Sequence, residues 1–214
     1  MSRWTLKRAR IMSENPGSTA AESYRRLRTN IEILGRDGGL KTIAVVSAEQ
    51  GEGRSTTSAN IAVAYSQANR KVLLLDSDLR SPTLHRIFEL RNDRGLSTIL
   101  AGIGEMNEVA QRTEIDNLQV LCAGPIPPNP SELLESEAMT ELLAAAKEKF
   151  DVVIIDTAAM KSTSDALIVA DKCDGAVLVI RRGRTKLEAA EKAKLTLQAS
   201  RTRMVGAILN HRGR

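Results

Sequence analysis

Between Ala48 and Thr56 the chain reads Ala48-Glu49-Gln50-Gly51-Glu52-Gly53-Arg54-Ser55-Thr56, which sets glycines, a cation and adjacent hydroxyls within a few positions. Placed between a buried strand and a helix, such a stretch can curl so that successive N–H groups converge on phosphate oxygens. The helix N-terminus then adds partial positive charge, and Ser55 is available to ligate Mg²⁺. Gln50, Gly51, Glu52, Gly53, Arg54, Ser55 and Thr56 are therefore expected to bind a nucleotide. Two positions depart from the usual phosphate loop: Ala48 stands at the first glycine position, and Arg54 replaces the lysine that reaches the β- and γ-phosphates. A lysine ammonium is a compact point charge on a flexible stem, whereas a guanidinium is planar and larger. The exchange keeps the charge and changes its geometry.

Two further segments carry carboxylates just past apolar runs. Val72-Leu73-Leu74-Leu75 leads into Asp76-Ser77-Asp78, and Val152-Val153-Ile154-Ile155 leads into Asp156-Thr157. In an open α/β sheet, ligands bind beyond the carboxyl ends of the strands. Asp76 and Asp156 are expected to hold Mg²⁺ with Ser55, while Asp78 could take a proton from an attacking hydroxyl. Arg54, Asp76 and Asp78 are the catalytic candidates. Any one of these aspartates alone would read as a helix cap; their convergence with the loop favours a nucleotide site.

The elements that must position them follow from the hydrophobic pattern. Apolar runs at Thr42 to Val46, Val72 to Leu75, Leu118 to Leu121, Val152 to Ile155, Ala176 to Ile180 and Val205 to Leu209 alternate with helical stretches. They are apolar on both faces, as strands of a parallel sheet covered on both sides must be. The expected class is α/β, a doubly wound and mostly parallel sheet. Ala20, Tyr24, Leu27, Ile31 and Leu34 form the stripe of an amphipathic helix that Gly38-Gly39 closes. Helices are expected from about Ser55 to Asn69, from Ser131 to Phe150 and from Thr185 to about Ser200.

With 214 residues the chain suits one such domain, read as residues 19–214 behind a basic tail of residues 1–18. The net charge of +5 is dispersed and aromatics make up only 2%, which argues against stacking on single strands, so no nucleic-acid partner is expected. Cys122 and Cys173 lack metal-ligand spacing and read as small buried residues of a reducing compartment. No segment has the length and apolarity to cross a bilayer, which points to the cytoplasm. Arg3, Trp4, Leu6, Lys7, Arg8 and Arg10 could touch an anionic membrane surface, although a basic N-terminal tail is more often a solvated extension.

Beyond these motifs the chain resembles the bacterial tyrosine kinases, cytoplasmic enzymes that work with membrane co-polymerases in capsule and exopolysaccharide synthesis. The likeness spans about Glu22 to Asn210. It rests on Glu22-Ser23-Tyr24-Arg25-Arg26-Leu27-Arg28, on Leu73 to Arg80 followed by Ser81-Pro82-Thr83-Leu84-His85, on Gly95-Leu96-Ser97, and on Gly124-Pro125-Ile126-Pro127-Pro128-Asn129-Pro130-Ser131-Glu132-Leu133-Leu134. The resemblance implies a phosphate-loop NTPase fold of the deviant, MinD/ParA-like type, with ATP or ADP and Mg²⁺ as cofactors. It also implies protein tyrosine substrates, a membrane activator that recruits the kinase to the inner face of the membrane, and a homo-oligomeric ring. Glu22, Arg25 and Arg28 would contribute to that ring, and Asn210 would lie near the adenine. Spacing by itself reads the three charges as a solvated face and Asn210 as a turn residue.

The chain departs from the family pattern at Arg54, at Gln50 in place of a frequent proline, and at Ala158-Ala159 in place of prolines. It also lacks a tyrosine cluster before His211-Arg212-Gly213-Arg214, having only Tyr24 and Tyr65. Three readings stay open at this level. One is a kinase that uses Arg54 as its phosphate clamp and phosphorylates other proteins. Another is a nucleotide-binding regulator of the same machinery with weak catalysis. The third is a partitioning-type ATPase, against which the proline-rich segment argues.

Overall fold

The computed structural model describes residues 10–35 and 39–211. Its seven strands are β1 (Thr42–Ser47), β2 (Val72–Asp76), β3 (Gln111–Arg112), β4 (Leu118–Leu121), β5 (Val152–Ala159), β6 (Gly175–Arg181) and β7 (Arg203–Asn210). They lie in the order β3-β4-β2-β5-β1-β6-β7. Every pairing is parallel except the short β3–β4 ladder. Successive side chains of a strand point to opposite faces. Ala44, Leu73, Leu75, Val153 and Ile155 therefore feed one core, and Ile43, Val45, Leu74, Val152 and Ile154 feed the other. The central strands β1, β2 and β5 are buried along their whole length because both faces are covered, whereas the edge strands β3 and β7 are partly exposed.

The helices divide between these cores. On one face lie α1 (Ile11–Glu14), α2 (Thr19–Leu34), α3 (Arg54–Ser66) and α4 (Leu84–Ile87). On the other lie α5 (Leu96–Leu100), α6 (Met106–Val109), α7 (Pro130–Glu135), α8 (Glu137–Lys149), α9 (Asp165–Asp171) and α10 (Leu187–Gln198). The single helix expected from Ser131 to Phe150 is two. Ser136 adopts φ −55°, ψ 160° and its hydroxyl accepts the Met139 N–H, so it ends one helix and caps the next. The helix expected to reach Asn69 stops at Ser66, and Asn69 turns the chain at φ 58°.

The segment read as a tail through residue 18 is not all solvated. Met12 is fully buried in the second core, its N–H donates to Asn60 Oδ1 at 3.0 Å, and its carbonyl accepts from Gln67 Nε2 at 3.1 Å. Residues 1–9, 36–38 (with Gly38) and 212–214 lie outside the described residues. So do the membrane-contact candidates Arg3, Trp4, Leu6, Lys7 and Arg8.

The two glycine motifs that the resemblance singled out build each other. Leu96 and Ser97 N–H donate to the Cys122 and Ala123 carbonyls at 2.8 Å, and the Asn92 amide pairs with both backbone groups of Gly124 at 2.9 Å. A Cβ on Gly95 would sit 2.2 Å from Gly124 N and 2.3 Å from Cys122 O, both rigid backbone atoms. Gly95→Ala is expected to destabilise the protein by about 3 kcal/mol, the upper end of the usual cost of overpacking. The check is the urea unfolding midpoint, which should fall with an unchanged m-value.

Candidate nucleotide and carboxylate site

Sheet register brings the carboxylates together. β5 lies between β2 and β1, with Asp156 level with Asp76 on one side and with Val45 on the other. Level residues on neighbouring parallel strands share a face at about 4.8 Å strand spacing, so the two acids stand side by side. The apolar pattern ends the strand at Asp156, whereas β5 continues to Ala159. Alanines at 158 and 159 keep the N–H groups and free φ that prolines would remove, and Ala159 pairs with Ser47.

Asp76 is completely buried. Its Oδ2 accepts the N–H groups of Thr83 and Leu84 at 3.1 and 3.0 Å, and Oδ1 accepts that of Asp78 at 3.2 Å. The carboxylate thus organises the loop into α4. Burial, and next the negative field of Asp156, push its pKa up to about 7. Asp156 is also raised, chiefly by burial, against which the Arg54 charge and the hydroxyls of Ser55 and Ser58 work. The loop after β2 is latched by Ser77, whose N–H and hydroxyl both donate to the Asp156 carbonyl, at 2.8 and 2.7 Å.

Arg54 is the centre of the site. Its side chain is 10% exposed and uses all three guanidinium nitrogens: Nη2 donates to Asp78 Oδ2 at 2.8 Å, Nε to Asp156 Oδ1 at 3.2 Å and Nη1 to Ser47 Oγ at 3.1 Å. Ser58 Oγ donates to the same Asp156 oxygen at 3.0 Å. A lysine ammonium could not reach three acceptors in this planar fork. Asp156 Oδ2, by contrast, is buried without a hydrogen bond.

The loop around Arg54 is held from outside. Gly51 and Gly53 adopt φ +77° and +94°, which L side chains rarely adopt. Asn210 Nδ2 donates to the Glu52 carbonyl at 3.1 Å and would lie 2.1 Å from a Cβ on Gly53. Asn210 therefore sits against the phosphate loop. Gln50 is exposed and Thr56 half-buried; the Thr56 carbonyl accepts from Asn60 at 2.8 Å. Glu52, one of the expected nucleotide-binding loop residues, is 2% exposed. Its carboxylate accepts the Glu49 N–H at 3.0 Å and the Thr185 hydroxyl, while Arg181 Nη1 caps the Gly51 carbonyl at 3.0 Å. Thr185 and Arg181 were not foreseen, because nothing local to them marks a partner more than a hundred residues away.

A family model described as an AAA domain matches residues 40–181. The tyrosine-protein kinase YwqD of Bacillus subtilis is 44% identical over 96% of this chain and 86% of its own length. The putative tyrosine-protein kinase CapB of Staphylococcus aureus is 36% identical over 92% of this chain and 86% of its own. This chain belongs to the bacterial tyrosine-protein kinases. Among solved structures, the kinase domain of Escherichia coli tyrosine kinase ETK matches with a TM-score of 0.92 at 33% identity, covering 99% of this chain and 87% of that one. The cell-division ATPase MinD of Pyrococcus furiosus matches at 0.69 and 28% identity, over 80% and 72%. The bacterial tyrosine-protein kinases and MinD thus share the phosphate-loop NTPase fold seen here.

Membership in this kinase family gives the α2 charges a context, and the structure divides them. Glu22 pairs with Arg25 at 3.2 Å and with Arg26 at 3.5 Å on the exposed side of α2. Arg28 instead turns inward and donates to the Ala64 carbonyl at 3.2 Å. At about 100° per residue, position i+6 lies some 120° round the helix from position i, so the three charges do not share one solvent face. Tyr24 and Tyr65 both pack into the protein, and burial raises both phenol pKa values. The thiols of Cys122 and Cys173 are buried and pushed up to about 12.

Proposed function

We propose that this kinase transfers the γ-phosphoryl group of ATP to tyrosine on other proteins in capsular or exopolysaccharide synthesis, with Arg54 as the cation of its phosphate loop. The observation that carries this reading is the junction of Arg54 with Asp78 and Asp156 at 2.8 and 3.2 Å, one residue before the hydroxyl of Ser55. Incoming phosphates compete with the carboxylates for the guanidinium. As Arg54 turns to them, Asp78 is released to accept the proton of the attacking phenol. The loop N–H groups at the start of α3, which have no helical carbonyl to bond, cradle the phosphates, and Asn210 borders the nucleotide. Tyr24 and Tyr65 are packed, so neither is assigned as the acceptor.

The donor set suits Mg²⁺. Asp76, Asp78 and Asp156 together outnumber the one guanidinium, and the free Asp156 Oδ2 is an acceptor awaiting a partner. No group of three or more acidic, histidine or cysteine side chains among the described residues is placed to hold a metal ion by itself. This matches an ion that takes one or two carboxylates and fills its shell with water and phosphate. Ser55, Asp76 and Asp156 would hold it, and it would neutralise phosphate charge. MinD of Pyrococcus horikoshii, 25% identical, is a structural neighbour solved with Mg-ADP.

The Asp76 carboxyl gives this proposal a pH signature. Its pKa is about 7 in the folded chain against an ordinary 3.8. The folded state thus holds the proton more tightly than the unfolded one. The associated stability is complete below the unfolded pKa and is lost as pH rises through about 7. An ion bound to the carboxylate expels the same proton. Mg-ADP affinity is expected to rise by about tenfold from pH 6 to 8, with proton release on binding. Calorimetry in two buffers of different ionisation enthalpy checks this, and Asp76→Asn should flatten the dependence.

No helix among the described residues is long and apolar enough to cross a membrane. Recruitment to the inner face of the membrane is assigned to a co-polymerase partner. The likeness to the chimerical protein CapA2B2, with a TM-score of 0.91 at 36% identity over 96% of this chain and 90% of that one, supports work as one half of a two-protein unit. Exposed Glu22 and Arg25, with Arg28 behind them, are proposed to meet a neighbouring subunit in a ring. The test of function is phosphate transfer from Mg-ATP to a tyrosine peptide, with and without the cytoplasmic segment of a two-span membrane partner. Stimulation supports the reading, whereas ATP hydrolysis without any phosphotyrosine would contradict it.

A further inference from the structure

Arg80 and the proline-rich segment before Ser131 are the sequence features that the nucleotide site leaves without a role. The fold joins them at Asp165, the first residue of α9. Asp165 is wholly buried. Its Oδ2 accepts Arg80 Nε at 2.8 Å, and its Oδ1 accepts Ser131 Oγ at 2.6 Å and Arg80 Nη2 at 3.4 Å. Arg80 Nη2 also reaches Ser131 Oγ at 3.0 Å, which closes a three-residue ring of hydrogen bonds. The Asp165 N–H is held in turn by Thr163 Oγ1 at 3.3 Å. Burial alone would raise the Asp165 pKa, yet hydrogen bonds from Arg80 and Ser131 outweigh it and hold the carboxyl below its ordinary range.

The ring touches neither the phosphate loop nor Arg54, but it sits two residues from Asp78. Ser81, next to Arg80, donates its N–H to Asp78 Oδ1 at 3.0 Å, while Asp78 Oδ2 takes Arg54. The short loop from Ser77 to Thr83 is thus fixed at three places. Ser77 is latched to β5, the N–H of Thr83 to Asp76, and its middle to α9 through Arg80. Asp78 is also held by its own N–H on Asp76 and by Arg54, and the Arg80 tie fixes the stretch of loop that follows it.

We propose that Asp165, acting through Arg80 and with Ser131 as its third member, is the positioning residue that aims Asp78 at the acceptor hydroxyl. This rests on Asp78 being the base. The turn through Pro125 to Pro130 brings Ser131 to this ring, which gives the family's proline-rich motif a mechanical task. A bidentate guanidinium–carboxylate pair with one fully buried partner fixes direction as well as distance. A small misplacement of a base costs rate far more than it costs binding of the nucleotide.

The test uses Arg80→Gln and Asp165→Asn in the full chain, each alone and combined with Asp78→Asn. Each single variant is expected to lower kcat for tyrosine transfer by about 10- to 100-fold, with KM for Mg-ATP within a few-fold of the parent. In the Asp78→Asn background neither should lower the residual rate further, because the residue they position is gone. Arg80→Lys, which keeps the charge but loses the fork, should fall between parent and Arg80→Gln. Arg80 is 43% exposed on its side chain, so its variants keep the test open should Asp165→Asn fail to fold. Losses that persist undiminished in the Asp78→Asn background, or that appear in Mg-ATP binding alone, would overturn the proposal. An Asp78→Asn variant as fast as the parent would instead bring down the assignment of the base.

Discussion

Arg54→Met is expected to lower tyrosine phosphorylation by at least about 10²- to 10³-fold, the loss seen when one preorganised charge-stabilising donor is removed from an active site. The same change should cost the nucleotide-free protein about 3 kcal/mol of stability, because it leaves Asp78 and Asp156 buried without their counter-charge. The two effects have one cause. Arg54 is nearly buried and every one of its nitrogens is committed, to Asp78, Asp156 and Ser47. In the free protein it neutralises the acids; with nucleotide bound, its charge passes to the phosphates. Chemical denaturation and a phosphotyrosine assay on the same preparation measure both losses. A variant that is destabilised yet fully active would separate the structural role from the catalytic one and remove Arg54 from the mechanism.

Asp78→Asn is expected to reduce kcat by about 10²- to 10⁴-fold, the range for loss of a positioned general base, while Mg-ATP affinity stays within a few-fold. The single amide oxygen can accept from Ser81 N–H or from Arg54 but not in the separate places the two carboxylate oxygens fill, and the ties of Ser77 and Thr83 keep the loop in place; what the amide cannot do is take a proton. The split between kcat and binding distinguishes Asp78 from Asp156. Asp156 lies deeper, carries the unpaired Oδ2 and stands beside Asp76, so its replacement should weaken Mg²⁺-dependent binding as well as rate. Steady-state kinetics together with nucleotide titration at fixed Mg²⁺ separate the two patterns.

Much of this architecture was legible in the residues. Strands buried on both faces are unbroken apolar runs, so the sheet could be read from Val72 to Leu75 or Val152 to Ile155 without knowing its order. The phosphate loop was recognisable because two glycines, a cation and a hydroxyl must follow a strand and open a helix. Less was visible where a long-range partner decides the outcome. Glu52 is legible as a residue of the phosphate loop, whereas the burial of its carboxylate against Thr185 is not. Arg28 repeats the spacing of Glu22 and Arg25, yet the helical turn rotates it toward Ala64. Asp165 has no motif around it, and its importance exists only once Arg80 and Ser131 arrive from other parts of the chain. Arg54 was visible as a substitution, whereas its three-way bond to Asp78, Asp156 and Ser47 needed the register that sets β5 between β1 and β2.

The most direct test of Arg54 as a working phosphate-loop cation is a side-by-side measurement of the parent, Arg54→Lys and Arg54→Met. Each is assayed for Mg-ATP affinity and for phosphate transfer to a supplied tyrosine peptide in the presence of the membrane partner's cytoplasmic segment. The parent is expected to transfer phosphate, Arg54→Lys to remain within about tenfold of it because lysine is the usual cation of this loop and reaches the β- and γ-phosphates, and Arg54→Met to lose transfer. Binding without transfer in the parent, with transfer gained in Arg54→Lys, would contradict the assignment and make the arginine the residue that silences the site.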